Sequence, residues 1–391
     1  MKSPIYLSAG EASTELGVRQ ATLYAYVSRG LIRSIPGPGR QRRYHAEDVR
    51  ALRDRRDAGE PSSDKSGATG PLLETQLTLI TEQGPVYRGQ PAVKLARTSS
   101  LEAVATLLWD CTDDPFANPA PQAPEMTIPD LRPLERVMMA FAAWPAIDRA
   151  AFTLSHRLLI EKGAALLRAG IGALIGEAPS SDPVHLTLAR GWNVVDPKAI
   201  DLIRAALVLS ADHEFNTSAF AVRCAASTRA PLHAALIAGL GAFSGPRHGA
   251  ASERVGAWLE KIGSADDIEP VMQELLIRGE ELAGFGNVIY ETRDPRAACL
   301  LELIAEGNFD HPLAGLLPQI IATADALFGK APNIDFAFAA IQRLLKLPAH
   351  AGMSIFCAGR LTGWIAHALE QYQRADRIRP RAIYTGERPR S

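Results

Sequence analysis

Four short stretches of the chain put histidine, carboxylate or a glycine-framed amide where chemistry could use them. SADHEFNTSAF sets His213 between Asp212 and Glu214 at the end of a helical segment. GPRHGAASERV sets His248 between a Gly-Pro turn and what reads as a new helix. APNIDFAFAAI sets Asp335 in a loop directly ahead of an apolar helix. GFGNVIYETRDPR, Gly284 to Arg296, frames a lone Asn287 with glycines and ends in Asp-Pro-Arg. Imidazole donates hydrogen bonds and carboxylates accept protons. Two glycines within three residues let the backbone turn sharply or approach a ligand closely. Each stretch also has a plain structural reading. A lone His at a helix end is more often a cap or core residue, and a lone Asp before a helix is usually an N-cap. Asn287 reads equally as a working group, a replacement for one, or an ordinary loop residue.

These stretches fall in a mainly helical part of the chain. RRDAGEPSSDKSGATGPLL, from Arg55 to Leu73, is rich in Gly, Ser, Pro and charge and reads as a linker. The expected divisions are a first module over residues 1–58, a linker over 59–72 and a body over 73–391. The body opens with Leu77 and Leu79 alternating with polar neighbours ahead of Gly84-Pro85, a short strand pair. In DPKAIDLIRAALVLSADHEF, Asp196 is the expected N-cap, Pro197 the first helical residue, and Ile200, Ile203 and Leu207 the apolar face. APLHAALIAGLGAFSGP is apolar nearly all round, which predicts a buried, closely packed helix. SSLEAVATLLW, DRAAFTLSHRLLIEKGAALLRAGIGALIG, NIDFAFAAIQRLL and IFCAGRLTGWIAHALEQYQ continue the helical pattern.

The 391 residues suffice for two or three domains. Lys plus Arg is 42 against 43 Asp plus Glu, so overall charge points to no polyanionic partner. The balance is uneven, because residues 1–58 carry ten Arg and one Lys against six acids, a locally basic segment that suits nucleic acid. Cys111, Cys224, Cys299 and Cys357 have no C-x-x-C spacing and read as buried free thiols in a reducing compartment. No leader-like start and no uncharged apolar run long enough to span a membrane is seen, so the expected location is cytoplasmic.

In the first module, Ala9 to Leu16 reads as a helix capped by Ser8. Gly17 makes the turn, and Val18 to Ser28 is a second helix with Leu23, Tyr26 and Val27 inward. Gly30 ends it, GPGRQRR forms a wing tip, and a further helix starts near Ala46. LYAYVSRGLI and RRYHAEDVRAL resemble the winged helix-turn-helix of MerR-like regulators, over Tyr6 to about Leu52. That resemblance implies a second helix in the major groove and a wing on phosphate. Arg19, Gln20 and Tyr24 would face double-stranded DNA, and Arg40, Arg42 and Arg43 would hold its backbone. The alternative is a small basic domain that docks on protein.

In the body, the order D-H-E, G-P-x-H-G, G-F-G-x…D-P-R and N-x-D, with the ending CAGRLTGWIAHALEQYQRADRIRPRAIYTG, resembles the citrate synthase family from about Leu73 to Gly386. The resemblance implies an all-α body of two domains, a large one over about 73–210 and 341–391 and a small one over about 215–340. It implies acyl transfer from acetyl-CoA or another short acyl-CoA to oxaloacetate or a related 2-oxo acid, as in the tricarboxylic acid cycle. The only cofactor-like group would be the coenzyme A thioester substrate, with no metal. His213 matches a histidine that binds the oxo acid, and His248 the donor to the thioester carbonyl. Asp335 matches the base that takes the acetyl proton. Arg296 and Arg360 match arginines that hold oxaloacetate carboxylates. Arg379 matches an arginine donated across a homodimer interface, which would give a shared active site. His233, His350 and His367 read as packing or capping residues.

Physical chemistry agrees with those roles. A thioester α-proton is too weakly acidic for a free carboxylate, so the enolate oxygen needs a donor aimed at it. A helix start beside His248 favours a neutral ring, and desolvation would raise the basicity of Asp335. Arginine forks suit a dicarboxylate. The sequence departs from the family at two places. Asn287 stands where the family has a histidine that polarises the ketone and protonates the alkoxide. Ala250-Ala251-Ser252-Glu253 stands where G-A-N-E is usual. Three functions follow as expectations: a condensing acyltransferase, a DNA-binding regulator whose body senses an acyl-CoA or dicarboxylate, and another CoA-ester enzyme such as a hydrolase.

Overall fold

The computed structural model describes residues 6–16, 18, 20–28, 30–37, 42–57, 73–124, 130–287 and 289–380. The chain divides into two compact units, residues 1–68 and 69–391. The expected linker over 59–72, the turn residue Gly17, and Arg19 and Arg40 all lie outside the described residues.

The first unit runs β1 (Tyr6–Leu7), α1 (Ala9–Leu16), α2 (Gln20–Ser28), β2 (Ser34–Pro36), β3 (Arg42–His45) and α3 (Ala46–Asp57). Ser8 caps α1 as expected: its Oγ accepts the Glu11 N–H at 3.2 Å, and Glu11 Oε2 accepts the Ser8 N–H at 2.8 Å. The second helix starts at Gln20 rather than Val18. Three antiparallel strands in the order β1-β3-β2 form the wing. Ala12, Leu16, Leu23, Ile32, Tyr44, Val49 and Leu52 make its core. Arg33 forks onto Asp48 (2.8 and 2.7 Å), tying the base of the wing to α3, and this pairing lowers the Asp48 pKa to about 2. Gln20, Tyr24, Arg42 and Arg43 are all exposed.

The second unit opens with the antiparallel strands β4 (Thr78–Thr81), β5 (Gly84–Tyr87) and β6 (Gln90–Pro91). Gly84-Pro85 begins β5 and does not form the turn, which falls at Glu82-Gln83. Leu77 is buried and Leu79 is 64% exposed, so the two do not share a buried face. Helices follow: α4 (Ala92–Thr98), α5 (Leu101–Trp109), α6 (Pro133–Ala143), α7 (His156–Ile175), α8 (Val184–Gly191), α9 (Pro197–Ser210) and α10 (Thr217–Ser227). Then come α11 (Leu232–Phe243), α12 (Ala251–Leu259), α13 (Ile268–Ile277), α14 (Pro295–Gly307), α15 (Pro312–Phe328), α16 (Ile334–Leu344) and α17 (Ala351–Tyr372). The fold class is mainly α, as the hydrophobic periodicity predicts. Asp196 caps α9 by accepting the Lys198 N–H at 3.0 Å, with Pro197 at its first position.

The central element is α17, buried along nearly its whole length and packed on α5, α7, α9, α10, α11 and α16. Small residues let it approach the end of α9 backbone to backbone. A Cβ on Gly359 would lie 2.5 Å from the Leu207 carbonyl oxygen, and one on Gly363 would lie 2.6 Å from Asp212 Oδ1. That crossing places Arg360 of α17 beside the last carbonyls of α9. Tyr87 of β5 holds the same corner, its hydroxyl donating among the carbonyls of Val208 and Asp212, each 3.1 Å away. Buried Arg223 of α10 pairs with Glu370 of α17 at 2.7 Å and fixes the other side. Among the described residues, no helix is long and apolar enough to cross a membrane.

Candidate active site

Backbone pairing brings two of the sequence motifs together. The Gly286 N–H donates to Ala331 O at 2.8 Å, and the Asn333 N–H donates to Gly284 O at 2.9 Å. The Asn333 amide then donates to Gly286 O at 3.0 Å. Gly284 and Gly286 have φ of 85° and 84°, a region that disfavours side chains. A Cβ at Gly284 would also come within 2.7 Å of Val255 Cγ2. The glycine pair therefore lets the Asn287 loop lie against the segment that enters α16.

That segment corrects the structural reading of Asp335. The N-cap of α16 is Asn333, whose Oδ1 accepts the Asp335 N–H at 3.0 Å. Asp335 sits in the first helical turn, not in a loop, and its carboxylate is free of capping duty. Its Oδ1 is buried without a hydrogen-bond partner among the described residues. Burial pushes its pKa up to about 7, with the Asp294 charge adding and Arg296 and Arg360 opposing.

His213 follows the end of α9, and His248 lies in the turn between α11 and α12. His213 is 7% exposed, and its Nε2 lies 2.7 Å from the Tyr290 hydroxyl. Burial, then the charges of Arg296 and Arg360, hold it well below the usual histidine range. His248 Nε2 lies 2.7 Å from Ser218 Oγ, and its ring packs against Phe243 and Phe356. Burial and the Arg360 charge bring it down to about 4, so it is neutral at physiological pH. Ser218 is held in turn by Trp364, whose Nε1–H donates to its Oγ at 3.1 Å.

The two arginines are held differently. Arg296 Nε and Nη2 fork onto Asp294 at 3.0 and 2.8 Å. Burial opposes its charge, but the Asp294 carboxylate holds its pKa above the usual arginine value. Asp294 Oδ2 also accepts the Ile334 N–H at 3.1 Å, which ties the D-P-R motif to α16. Among the described residues, Arg360 forms no ion pair with an acidic neighbour. Its Nε donates to Ser210 O at 2.9 Å, its guanidinium lies 5.0 Å over the Phe356 ring, and its Nη2 is buried without a partner among the described residues. Burial lowers its pKa to about 10. A buried guanidinium with an orphaned donor fits an anionic ligand.

His213, His248, Asn287, Arg296, Asp335 and Arg360 line one cleft of about 690 Å³. Arg379 is exposed in the segment after α17 and does not line it. Arg247, Arg254, Arg293 and Lys330 stand with Glu281 and Glu291 among the lining residues, an excess of positive charge. Asn287 Oδ1 accepts the N–H groups of Ile289 and Tyr290 at 2.8 and 3.4 Å, and its Nδ2 reaches Asp294 Oδ2 at 3.5 Å. Asn287 thus braces its own loop. His367 is more than packing: it lies 3.2 Å from Asp212 Oδ1 in a fully buried pair beside His213. His233 is buried in α11 against Phe152, and His350 precedes α17 and pairs with Glu253. Sequence reasoning missed Ser218, Tyr290 and Asp294. All three lie inside the quoted stretches, but only the fold shows what they touch. No cluster of three or more metal-ligating side chains occurs among the described residues.

Comparison with known proteins agrees with this arrangement. Residues 6–57 match the family described as helix-turn-helix domain. Citrate synthase 2 of Bacillus subtilis (strain 168) is 35% identical over 197 residues, 49% of this chain and 52% of that protein. The chain thus spans about half the length of the first such curated relatives. Citrate synthase of Haloferax volcanii is 30% identical over 369 residues, 83% of this chain and 96% of that protein. The same fold occurs in the citrate synthase of Thermoplasma acidophilum, solved as a ternary complex with carboxymethyl coenzyme A and oxaloacetate. It superposes with a TM-score of 0.69 at 23% identity over 82% of this chain and 95% of that one. Residues 68–381, which carry every cleft motif described above, match the family described as citrate synthase, C-terminal domain, and on that match and the Haloferax relative the chain belongs to the citrate synthase family.

Proposed function

We propose that the body condenses a short acyl-CoA, acetyl-CoA in the first instance, with oxaloacetate or a related dicarboxylic 2-oxo acid and then hydrolyses the thioester. The observation that carries this reading is Asp335, its Oδ1 buried without a partner among the described residues and its pKa raised to about 7, in the same cleft as neutral His248 and the unpartnered Nη2 of Arg360. Asp335 takes a proton from the carbon next to the thioester. His248 donates to the thioester oxygen as it becomes an enolate. The Ser218 hydroxyl has one proton and two acceptors in reach, Asn216 Oδ1 and His248 Nε2, each 2.7 Å away. Turned to His248, it leaves the ring proton on Nδ1, where it can serve the enolate. The enolate carbon then bonds to the ketone carbon of the oxo acid, whose oxygen gains the electron pair and takes a proton. Water cleaves the product thioester and releases the coenzyme A thiol. Arg360 and Arg296 hold carboxylates, and the cationic residues of the cleft suit the phosphates of coenzyme A. No further cofactor is needed.

The remaining roles belong to the same reading. Arg379 enters the cleft of a second copy in a homodimer. Closure of residues 215–340 over the larger part excludes water before enolisation. The setting is cytoplasmic and the reaction is that of the tricarboxylic acid cycle. The test is free-thiol release from acetyl-CoA and propionyl-CoA with oxaloacetate by the purified protein.

A second reading is favoured by the exposed Gln20, Tyr24, Arg42 and Arg43 of the helix-turn-helix unit and by the inward-turned Asn287. Here the body senses an acyl-CoA or dicarboxylate, and the first unit reports on duplex DNA. No thiol release, together with ligand-dependent binding to the DNA upstream of its own coding sequence, would sink the synthase reading and favour the sensor.

A further inference from the structure

Condensation leaves an alkoxide that needs a proton, and the carboxamide of Asn287 is no acid. Its oxygen is engaged by the N–H groups of Ile289 and Tyr290. The turn so braced carries Tyr290, three residues on, into the cleft. Tyr290 is 4% exposed, its hydroxyl is 2.7 Å from His213 Nε2, and the two rings meet edge to face at 5.7 Å. Among the described residues, His213 Nε2 is the acceptor within reach of the phenol; with the phenol donating to it, the neutral ring keeps its proton on Nδ1. That nitrogen has no partner among the described residues, and it is not one of the sealed, unpartnered atoms.

From this geometry we infer that Tyr290 and His213 form a proton relay that takes over the role of the family histidine replaced by Asn287. The inference rests on the condensation reading above. His213 Nδ1–H donates to the ketone oxygen. As the carbon–carbon bond forms, that oxygen becomes an alkoxide and takes the Nδ1 proton. Nε2 takes the phenol proton in the same step, so the imidazole stays neutral throughout. The tyrosinate left behind lies with its ring 5.9 Å from the Arg296 guanidinium, and water returns its proton after product release. Burial raises the pKa of the Tyr290 phenol and the Arg296 charge opposes that rise, so the transfer relies on the alkoxide being formed in the same buried cleft, where its own basicity is raised by desolvation. Tyr290 acts through His213 and is a positioning residue as well as the proton source.

The test measures thiol release by the full chain, by Tyr290→Phe, and by Tyr290→Phe combined with Asn287→His. The relay predicts that Tyr290→Phe lowers kcat by about 10²–10⁴ with little change in KM for the oxo acid. It also predicts that Asn287→His restores much of the loss. Nitrogen NMR should show His213 protonated at Nδ1 in the wild type and as a tautomer mixture in Tyr290→Phe. A Tyr290→Phe variant with wild-type kcat overturns the relay, and so does a loss confined to KM. Wild-type His213 protonated at Nε2 overturns it even if the variant does not fold. A wild-type protein that releases no thiol overturns the condensation reading and the relay with it, a signature distinct from an active Tyr290→Phe.

Discussion

Asn333 caps α16 and so frees the carboxylate of Asp335, two residues on, whose Oδ1 is buried without a partner among the described residues. The raised pKa of Asp335 has two opposite consequences for pH. As a base it works only when ionised, so turnover should rise with pH through about 7. For stability, an acid raised on folding contributes stability below its ordinary value of 3.8, and loses that contribution as pH rises through about 7. Asp335→Asn should therefore cut thiol release by about 10²–10⁴. It should also melt above the wild type at about pH 8 and level with it near pH 4, with about 1–2 °C of shift for each kcal/mol gained in a chain of this size. A pH–rate profile that stays flat across pH 7, or a variant that melts lower at alkaline pH, would contradict this account.

The local features of this site were legible in the sequence and the long-range ones were not. Ser8 and Asp196 cap their helices as expected because a cap needs only its own next turn. The same local rule misassigned Asp335, since Asn333 stands two residues earlier and competes for the same helix end. Tyr290 meets His213 across 77 residues, and His367 meets Asp212 across 155. No periodicity carries such pairings: the second follows from how α17 crosses the end of α9, the first from where the 284–296 loop lies. The six cleft residues were found from motif wording, which names positions but not partners. The bracing role of Asn287 and the Asp294 fork on Arg296 therefore emerged only with the fold.

His248 and Ser218 supply a second test. With its pKa near 4, His248 should add no inflection to the rate profile near the usual histidine value. A histidine lowered on folding costs stability as pH falls from 6.5 toward 4, so acid should weaken the fold in that window. Ser218→Ala frees the ring tautomer and should lower kcat by about 2–12-fold, the equivalent of one neutral hydrogen bond of roughly 0.5–1.5 kcal/mol. Unchanged kcat in Ser218→Ala would remove Ser218 from the mechanism.

The helix-turn-helix unit makes an independent prediction. Arg42 and Arg43 are exposed on β3, beside a buried Tyr44 that anchors the strand. If they hold DNA phosphates, Arg42→Ala and Arg43→Ala should weaken duplex binding for all sequences alike. Each should reduce the slope of log affinity against log salt by about 1. Binding measured across a salt series checks this, and a slope that stays at its wild-type value in both variants would point to a protein partner instead.

Arg360 offers the most direct test of the anion site. Its Nε is fixed on Ser210 O, its face rests on Phe356, and its Nη2 has no partner among the described residues. An oxo-acid carboxylate would accept from Nη2 in a charge-assisted bond in a buried setting. Ligand that binds only the folded protein raises its stability, by about 2.7 kcal/mol at a hundred times Kd. Oxaloacetate should therefore raise the wild-type melting temperature in the absence of any acyl-CoA. Arg360→Met keeps most of the apolar stem on Phe356 and removes the charge. It should abolish that shift and raise KM for the oxo acid by about 10–100-fold, the loss of one charge-assisted hydrogen bond. Because the shift is read without turnover, it separates binding from chemistry and applies equally to a synthase and a sensor. An Arg360→Met variant stabilised by oxaloacetate as strongly as the wild type would place the carboxylate elsewhere in the cleft.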